Sequence, residues 1–297
     1  MTFPKTITGL VTVAIPTYNH GLFLKAAIQS VIQQTYGNFE ILIVDNFSTD
    51  NTGEIISSFH DSRINWLQIR NNGSIAASRN RVLAEAKGDW IAFLDSDDWW
   101  SNTKLEECSK YFNPGVDLIY HDLHRVSSNS PEIRLSPIRS RQLKEPVLLD
   151  LLLKGNTIAT SSVVVRKLVL QRVGGMNESH DLISTEDYNT WLRISEITEN
   201  FHHIDKFLGY YRLHDQNISY TANYQPPREA IAEFLPRLSE RQRQQIEANF
   251  FYTKGRIHLK SKRYIESRED LKKVLSRGRF TQMAKAIFFL SICYLFA

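Results

Sequence analysis

The chain has 297 residues, of which 42% are hydrophobic and 23% are charged, a balance that excludes disorder and collagen-like repeats. Its 36 Lys and Arg against 32 Asp and Glu leave a net charge of +4, so we expect no nucleic-acid partner. Only two cysteines occur, Cys108 and Cys293, which excludes a disulfide framework and favours a reducing, cytoplasmic compartment.

The first hundred residues alternate between short apolar runs and amphipathic stretches. This alternation predicts βαβ units and a mostly parallel sheet, hence an α/β fold. The predicted strands cover 11–15, 40–45, 64–70 and 90–94, and the predicted helices cover 21–34, 51–59 and 74–87. Polar residues follow three of these strands, at the sheet edge where ligands bind in open α/β folds.

The middle of the chain is more mixed. Residues 117–121 and 160–166 are predicted strands, and 186–197 is a predicted helix with an apolar side. Residues 127–145 are polar and contain prolines, which favours a loop, and 201–214 alternates as an edge strand or hairpin does.

A helical region follows Pro226-Pro227, so we expect one domain over 1–221 and a helical extension over 222–297. The extension resembles one tetratricopeptide unit, with Tyr264 opening its second helix, and a generic helical hairpin is the equal alternative. Residues 237–285 carry fourteen Lys and Arg and five Asp and Glu, a net charge of +9 that leaves −5 elsewhere.

The final apolar run, 286–297, is shorter than the roughly 20 residues that span a bilayer. Together with the basic charge it predicts peripheral contact of 237–297 with an anionic membrane. The alternative is that the run packs inside the helical extension and that the charge is only solvated.

Several common enzyme signatures are absent from the sequence. No GxGxxG follows the first strand, and no GxxxxGK[ST], GxSxG or HExxH occurs anywhere. These absences remove the usual motifs of dinucleotide binding, P-loop phosphate binding, serine hydrolysis and zinc proteolysis.

Three carboxylates follow the strand at 90–94 in the order Asp95, Ser96, Asp97, Asp98. Carboxylates so close repel each other, and a hard cation such as Mg²⁺ or Mn²⁺ relieves that repulsion while accepting phosphate oxygens as further ligands. We therefore favour a metal–diphosphate site here over a solvated acidic turn.

Other polar residues at the strand ends suit a nucleotide. Asp45 ends the second strand, where its carboxylate can accept from a nucleobase N–H or a ribose hydroxyl. In Pro16-Thr17-Tyr18-Asn19, Tyr18 can stack on a base, although simple turn chemistry also accounts for this segment. Arg79, after a run of small residues, offers a fork of donors to phosphate or base.

Glu186 and Asp187 open a predicted helix, where the helix dipole stabilises acidic side chains. The same position also suits a catalytic base. Trp99, Trp100 and Trp191 have the flat faces that stack on an acceptor sugar, and simple packing is the alternative for each.

These segments together resemble family-2 glycosyltransferases of the GT-A fold. The resemblance covers about residues 8–215, and its segments are VTVAIPTYNHG, EILIVDNFSTD, NNGSIAASRN, IAFLDSDDWW and TEDYNTWLRI. One departure lies at Asn46-Phe47-Ser48, which replaces the commoner pattern with Asp, Gly or Cys near that turn and bears on the identity of the base.

The resemblance implies a role for each matching residue. Nucleotide-sugar binding falls to Pro16, Thr17, Tyr18, Asn19, Asp45, Arg79, Asp95 and Ser96. Asp95 and Asp97 form the DXD motif, with Asp97 the more direct ligand of Mn²⁺ or Mg²⁺, while Asp187 is the base and Glu186 a supporting acid. His214, in Tyr211-Arg212-Leu213-His214, matches a YRxH segment and joins the metal shell or closes over the diphosphate, a structural role being the equal alternative.

The implied reaction is inverting transfer of a sugar from a nucleotide-diphosphate sugar, favoured to be a UDP-sugar, to a hydroxyl of a saccharide or lipid-linked saccharide. Analogy places it in bacterial surface-polysaccharide assembly, on the inner face of the plasma membrane. A sugar-1-phosphate nucleotidyltransferase is one alternative, although the turn after the first strand lacks Lys and Arg. A degenerate, non-catalytic scaffold is another.

Overall fold

The computed structural model describes residues 9–127, 130–214 and 227–295. The strands in these residues are β1 (Val11–Thr17), β2 (Phe39–Asp45), β3 (Ile64–Gln68), β4 (Trp90–Phe93), β5 (Trp99–Trp100), β6 (Leu118–Ser127), β7 (Ser130–Ile138), β8 (Val164–Arg166) and β9 (Phe201–Leu213). The sheet runs β3-β2-β1-β4-β8-β6-β9-β5, with β7 paired to β6 outside this path.

Helices separate these strands and form the end of the chain. They are α1 (Gly21–Ile32), α2 (Thr52–Ser57), α3 (Ile75–Glu85), α4 (Lys104–Ser109), α5 (Val147–Lys154), α6 (Lys167–Arg172), α7 (Glu186–Ser195), α8 (Arg228–Ile231), α9 (Glu240–Lys260), α10 (Tyr264–Leu275) and α11 (Phe280–Leu295). Within the described ranges, no helix combines the length and the apolar character that crossing a membrane requires.

The first four strands form a parallel half-sheet, which confirms the α/β prediction. β1 pairs in parallel with β2 and β4, and β2 pairs in parallel with β3. Every residue of β1 and β2 is buried. Continuous apolar runs such as these are typical of parallel strands that helices cover on both faces.

The second half of the sheet departs from three predictions. The predicted strand over 160–166 is a strand only over β8, because Thr160–Ser162 forms a short 3-10 helix. β9 lies between β6 and β5, so 201–214 is neither an edge strand nor a hairpin. Its partners in β6 and β5 lie 83 to 111 residues earlier in the chain, and local alternation carries no information on such pairing. The loop prediction for 127–145 was also wrong over β7, which pairs antiparallel with β6 despite its prolines.

The chain divides into two compact units. One contains residues up to 143 together with 157–214, and it holds the sheet. The other contains 144–156, hence α5, together with the residues after 214. The domain boundary that we expect between 221 and 222 lies outside the described residues and stays a prediction.

The helical unit has a small core of its own. Leu271, Val274, Ala286, Leu290 and Cys293 form a buried cluster between α10 and α11. α9 begins at a capping box, in which Ser239 and Gln242 satisfy each other's backbone N–H groups. Gly255 lets α9 approach α10 closely, because a Cβ at this position would lie 2.8 Å from Cγ of Leu271.

We expect Gly255→Val to destabilise the helical unit by about 1–3 kcal/mol, because the added methyl groups must displace Leu271 in a closely packed contact. Urea unfolding followed by circular dichroism measures this loss. Gly37→Val is the matched control, since nothing lies within 4 Å of a Cβ at Gly37. Equal unfolding midpoints for the two variants would contradict the close approach of α9 and α10.

Candidate active site

The carboxyl ends of β1, β2 and β4 bring the sequence-predicted residues to one edge of the sheet. Thr17 ends β1 and pairs in register with Asp45, which ends β2. Asp95 follows β4, the strand on the other side of β1. The parallel topology thus gathers three turns that lie up to eighty residues apart in sequence.

Asp45 is buried and organises the turn that follows it. Its Oδ1 accepts hydrogen bonds from the backbone N–H of Ser48 at 3.0 Å and from the Ser48 hydroxyl at 2.5 Å. Its Oδ2 accepts from Nε2 of Gln68 at 3.0 Å. These donors fix the plane of the carboxylate, and the oxygens keep lone pairs for a further donor.

The turn after β1 is joined to the turn after β2. The backbone N–H of Asn19 donates to the Ser48 hydroxyl at 2.8 Å, and Oδ1 of Asn19 accepts from the backbone N–H of Thr49 at 2.7 Å. Tyr18 directly precedes Asn19 in the chain and is 54% exposed. The hydroxyl of Thr17 is buried and has no hydrogen-bond partner among the described residues. Pro16 is buried within β1.

Arg79 lies at the centre of the site, on α3. Nη2 donates to Oδ1 of Asp95 at 2.7 Å, and Nη1 donates to Oε1 of Glu186 at 2.8 Å. Burial opposes the charge, but Asp95 and Glu186 outweigh burial and raise the pKa of the Arg79 guanidinium. The structure therefore pairs this guanidinium with two carboxylates, and a role of Arg79 in binding the nucleotide sugar stays a prediction.

The DXD segment contains carboxylates in different environments. Burial raises the pKa of Asp95, Arg79 opposes that rise, and the charge of Asp97 adds to it. Burial, followed by the charges of Asp97 and Asp95, raises the pKa of Asp98 well above its ordinary value. Asp98 belongs to the carboxylate cluster seen in the sequence, which gave it no separate role, and its Oδ1 accepts from the backbone N–H of Arg212 at 3.0 Å.

The end of β9 folds onto the DXD segment. Nε2 of His214 donates to Oδ2 of Asp97 at 2.8 Å, and Nε of Arg212 donates to the carbonyl oxygen of Asp97 at 2.9 Å. His20, which the sequence did not single out, places Nδ1 2.8 Å from the hydroxyl of the buried Ser96. Its ring lies edge-on to the ring of His214 at 5.9 Å.

Asp187 has the environment of a group that takes up protons near neutrality. Burial and the neighbouring Glu186 raise its pKa to about 7, while the hydrogen bond from Thr160 opposes the rise. Oδ2 accepts from the Thr160 hydroxyl at 2.8 Å, and Oδ1 accepts from the backbone N–H of Tyr188 at 2.6 Å.

The turn at Thr160–Ser162 contacts the carboxylate of Asp187 and the backbone of the DXD segment. Thr160 donates to Asp187, and the hydroxyl of Ser161 accepts from the backbone N–H of Asp95 at 3.1 Å. Sequence reasoning missed this turn. The run of three hydroxyl residues before β8 was its only local signal.

The tryptophans do not form one acceptor surface. Trp100 and Trp191 are 2% and 0% exposed, so neither ring offers a face to a sugar, and packing accounts for both. Trp99 is partly exposed, and its ring stacks on Tyr210 with 5.0 Å between the ring centroids. An acceptor role remains a prediction for Trp99.

Replacing Arg79 with Met leaves Asp95 and Glu186 without their shared partner. We expect Arg79→Met to lower the free energy of unfolding by about 3–5 kcal/mol, because an unpaired buried carboxylate is costly. Arg81→Met is the control on the same helix, since Arg81 is exposed in its pair with Glu85 and should cost about 0.5 kcal/mol or less. Urea unfolding compares the two, and equal losses would contradict the central role of Arg79.

Known proteins resemble this chain in sequence and in structure. It is 36% identical to the Escherichia coli UDP-Glc:alpha-D-GlcNAc-diphosphoundecaprenol beta-1,3-glucosyltransferase WfaP over 221 residues, 71% of this chain and 80% of WfaP. S. aureus TarS residues 1–349 in complex with UDP-GlcNAc superpose with a TM-score of 0.62 at 17% identity, over 96% of this chain and 89% of that chain.

A second solved structure is the Pyrobaculum calidifontis mannosyltransferase PcManGT with GDP-Man and Mn²⁺, with a TM-score of 0.61 at 13% identity over 98% of this chain and 81% of that chain. These structural likenesses confirm the GT-A fold. The model of glycosyl transferase family 2 matches residues 12–173, more than half of the chain. The chain therefore belongs to glycosyl transferase family 2 and is a glycosyltransferase that uses a nucleotide-sugar donor.

Proposed function

We propose that this enzyme transfers a sugar from a UDP-sugar to a hydroxyl of a lipid-linked saccharide, with inversion at the anomeric carbon. The observation that carries this proposal is the position of Asp187, a carboxylate with a pKa near 7 next to the ion pairs that join Glu186, Arg79 and Asp95. The proposed base, Asp187, is thus the neighbour of Glu186, which Arg79 links to Asp95 of the DXD segment.

The choice of donor and acceptor rests on likeness. The name of WfaP, the 36% identical relative, states a UDP-glucose donor and a GlcNAc-diphosphoundecaprenol acceptor. TarS, a structural neighbour, is solved with UDP-GlcNAc. We propose the same classes of substrate for this chain, and hence a place in bacterial surface-polysaccharide assembly.

We assign the nucleotide to the joined turns after β1 and β2. The exposed ring of Tyr18 is available to stack on the base, and the unpartnered hydroxyl of Thr17 is available for a hydrogen bond. Asp45 would accept from the base or ribose, since its carboxylate is already oriented by Ser48 and Gln68. Asn19 would contribute by holding the two turns together, and a direct contact of Asn19 with the nucleotide stays a prediction.

Asp97 and His214 suit a divalent cation bound together with a diphosphate. The described residues contain no group of three or more His, Cys, Asp or Glu side chains that could hold a metal, so these residues alone do not complete a shell. Asp97 and His214 supply one oxygen and one nitrogen 2.8 Å apart, and Mn²⁺ or Mg²⁺ typically takes its remaining ligands from phosphate and water. A bound cation would offset charge on the leaving diphosphate.

We expect Asp97→Ala to abolish transfer and to weaken binding of the UDP-sugar, because the variant lacks the main carboxylate for the cation. Transfer should also be lost in excess EDTA and return when Mn²⁺ is added. Asp205→Ala, at an exposed position of β9, is the control and should behave as the parent does. Full activity of the parent in EDTA would refute metal dependence.

The proposed reaction is a single displacement. The acceptor hydroxyl oxygen forms a bond to the anomeric carbon as the bond from that carbon to the diphosphate oxygen breaks, and the electron pair leaves with the diphosphate. Asp187 takes the hydroxyl proton, for which its raised pKa is suited. The ion pair between Arg79 and Glu186 would hold α3 and the start of α7 in fixed positions. In this proposal Glu186 therefore supports the base and does not replace it.

Asp187→Asn keeps the shape of the side chain and removes its basicity. We expect turnover to fall by about 10²–10⁴-fold with little change in UDP-sugar affinity, because only proton transfer is lost. Turnover assays and calorimetric titration separate these effects, with the exposed Asp181→Asn as control. If Glu186→Gln were inactive while Asp187→Asn kept its activity, the base would be assigned to the wrong carboxylate.

Thr160→Val tests the pKa of Asp187 directly. Parental kcat/KM should rise with pH through about 7, because the base works deprotonated. Loss of the hydrogen bond that stabilises the charged carboxylate should raise this pKa and move the acid limb upward by about one pH unit. Ser162→Ala in the same turn is the control, since that hydroxyl donates to the carbonyl of Ala159. An unmoved limb in Thr160→Val would count against Asp187 as the titrating base.

A lipid-linked acceptor also requires access to a membrane. We therefore propose peripheral contact of residues 237–297 with the inner face of the plasma membrane, in keeping with the net charge of +9 over 237–285.

A further inference from the structure

The last helix of the described chain has two apolar faces. Ala286, Leu290 and Cys293 lie on the inner face, where they pack into the core of the helical unit. On the opposite side, Ile287 and Leu295 are 57% and 78% exposed. The inner apolar face therefore packs α11 into the helical unit, and the exposed apolar residues do not belong to that core.

The exposed residues form a continuous stripe. Phe280, Ile287, Phe288, Tyr294 and Leu295 are all exposed, and at 100° per residue they fall within a sector of about 120° whose centre lies roughly 130° from the centre of the inner face. Ala284 and Ser291 fill the gaps in this stripe, and the only charged residue of α11 is Lys285, outside the sector. Large apolar side chains grouped in this way on a surface mark an interaction site.

Cations border this stripe on the neighbouring helix. The guanidinium of Arg268 lies 4.9 Å from the ring centroid of Tyr294, and Nζ of Lys272 lies 6.0 Å from it. Neither cation forms an ion pair with a carboxylate among the residues that the structure describes. Ile265, on the same side of α10, is 61% exposed.

We propose that the stripe, together with Arg268 and Lys272, is a docking surface for an anionic lipid bilayer. An apolar face that enters the acyl boundary, flanked by cations that meet lipid phosphates, is the pattern of a helix that lies in the membrane interface. The helix has 16 residues and is about 24 Å long, so it lies along a bilayer instead of crossing it.

Charge argues for a bilayer over a second copy of the chain. A symmetric dimer through α11 would bring together two segments that each carry +9 over 237–285. Like charges across an interface are unfavourable, whereas an anionic leaflet attracts the same cations.

The surface goes beyond the proposed reaction, and its test needs no sugar nucleotide. Full-length protein is mixed with vesicles of equal parts phosphatidylglycerol and phosphatidylcholine at low salt, and the bound fraction is measured by sedimentation. It should pellet with these vesicles, and it should stay in solution at high salt or with phosphatidylcholine alone.

Paired variants separate the apolar and the charged contributions. Ile287→Ser with Phe288→Ser should lower the partition coefficient roughly tenfold or more, and Leu22→Ser, at an exposed leucine of the sheet unit, should not change it. Arg268→Gln with Lys272→Gln should give a similar loss. Lys25→Gln with Arg81→Gln removes the same charge at exposed positions of the sheet unit and should have little effect.

A spectroscopic readout locates the contact. The five native tryptophans all lie before residue 192, so Phe288→Trp places a single reporter on α11. Brominated lipids should quench this added emission and leave the native emission unchanged.

Two kinds of result would overturn the proposal. One is full-length protein that stays in the supernatant with anionic vesicles at low salt, or an Ile287→Ser, Phe288→Ser variant that pellets as the parent does. The other is a lipid-independent dimer in sedimentation velocity that the same variant dissociates, which would assign the stripe to a second copy of the chain.

Discussion

The buried guanidinium of Arg79 is the constraint on which the site depends. It joins Asp95, after β4, to Glu186, at the start of α7, and both ion pairs are shorter than 3 Å. Without this cation, two carboxylates from distant parts of the chain would be close together with their charges uncompensated. A buried pair of this kind is costly to break, so the pairs fix the register between α3, the DXD turn and α7.

The acidic side chains of the site fall into two groups, those that pair with Arg79 and those that do not. Glu186 and Asp95 have a cation beside them, whereas Asp187 and Asp98 do not accept a hydrogen bond from it. The pKa of Asp187 and that of Asp98 are both raised, because burial and neighbouring negative charge disfavour ionisation. In one small region, similar side chains thus provide an ion-paired frame and a group that is poised to exchange protons.

In the helical unit, a single helix, α11, both completes the core and exposes apolar residues. α11 contributes Ala286, Leu290 and Cys293 to a core that α9 and α10 cannot complete alone. Phe280, Ile287, Phe288, Tyr294 and Leu295 then face outward, because a helix that is apolar around most of its circumference has more surface than one neighbour covers. The two alternatives that the sequence leaves for this segment, packing and membrane contact, do not exclude each other, since the proposed membrane contact would use a different face of α11 from the one that packs.

The sequence by itself determined the α/β class and the first seven elements. Buried parallel strands are continuous apolar runs and amphipathic helices have a regular spacing of apolar residues, and both patterns can be recognised in the order of residues along the chain. It also determined which turns carry Asp45, Asp97 and Asp187, since each follows a strand end or opens a helix. Only the tertiary structure decided the interior position of β9, the pairing of β7, and the burial of Trp100 and Trp191. Tertiary structure likewise placed Thr160 against Asp187 and turned Arg79 toward carboxylates. These side-chain contacts join residues 16–107 positions apart, and no local pattern encodes the partner of a side chain at that separation.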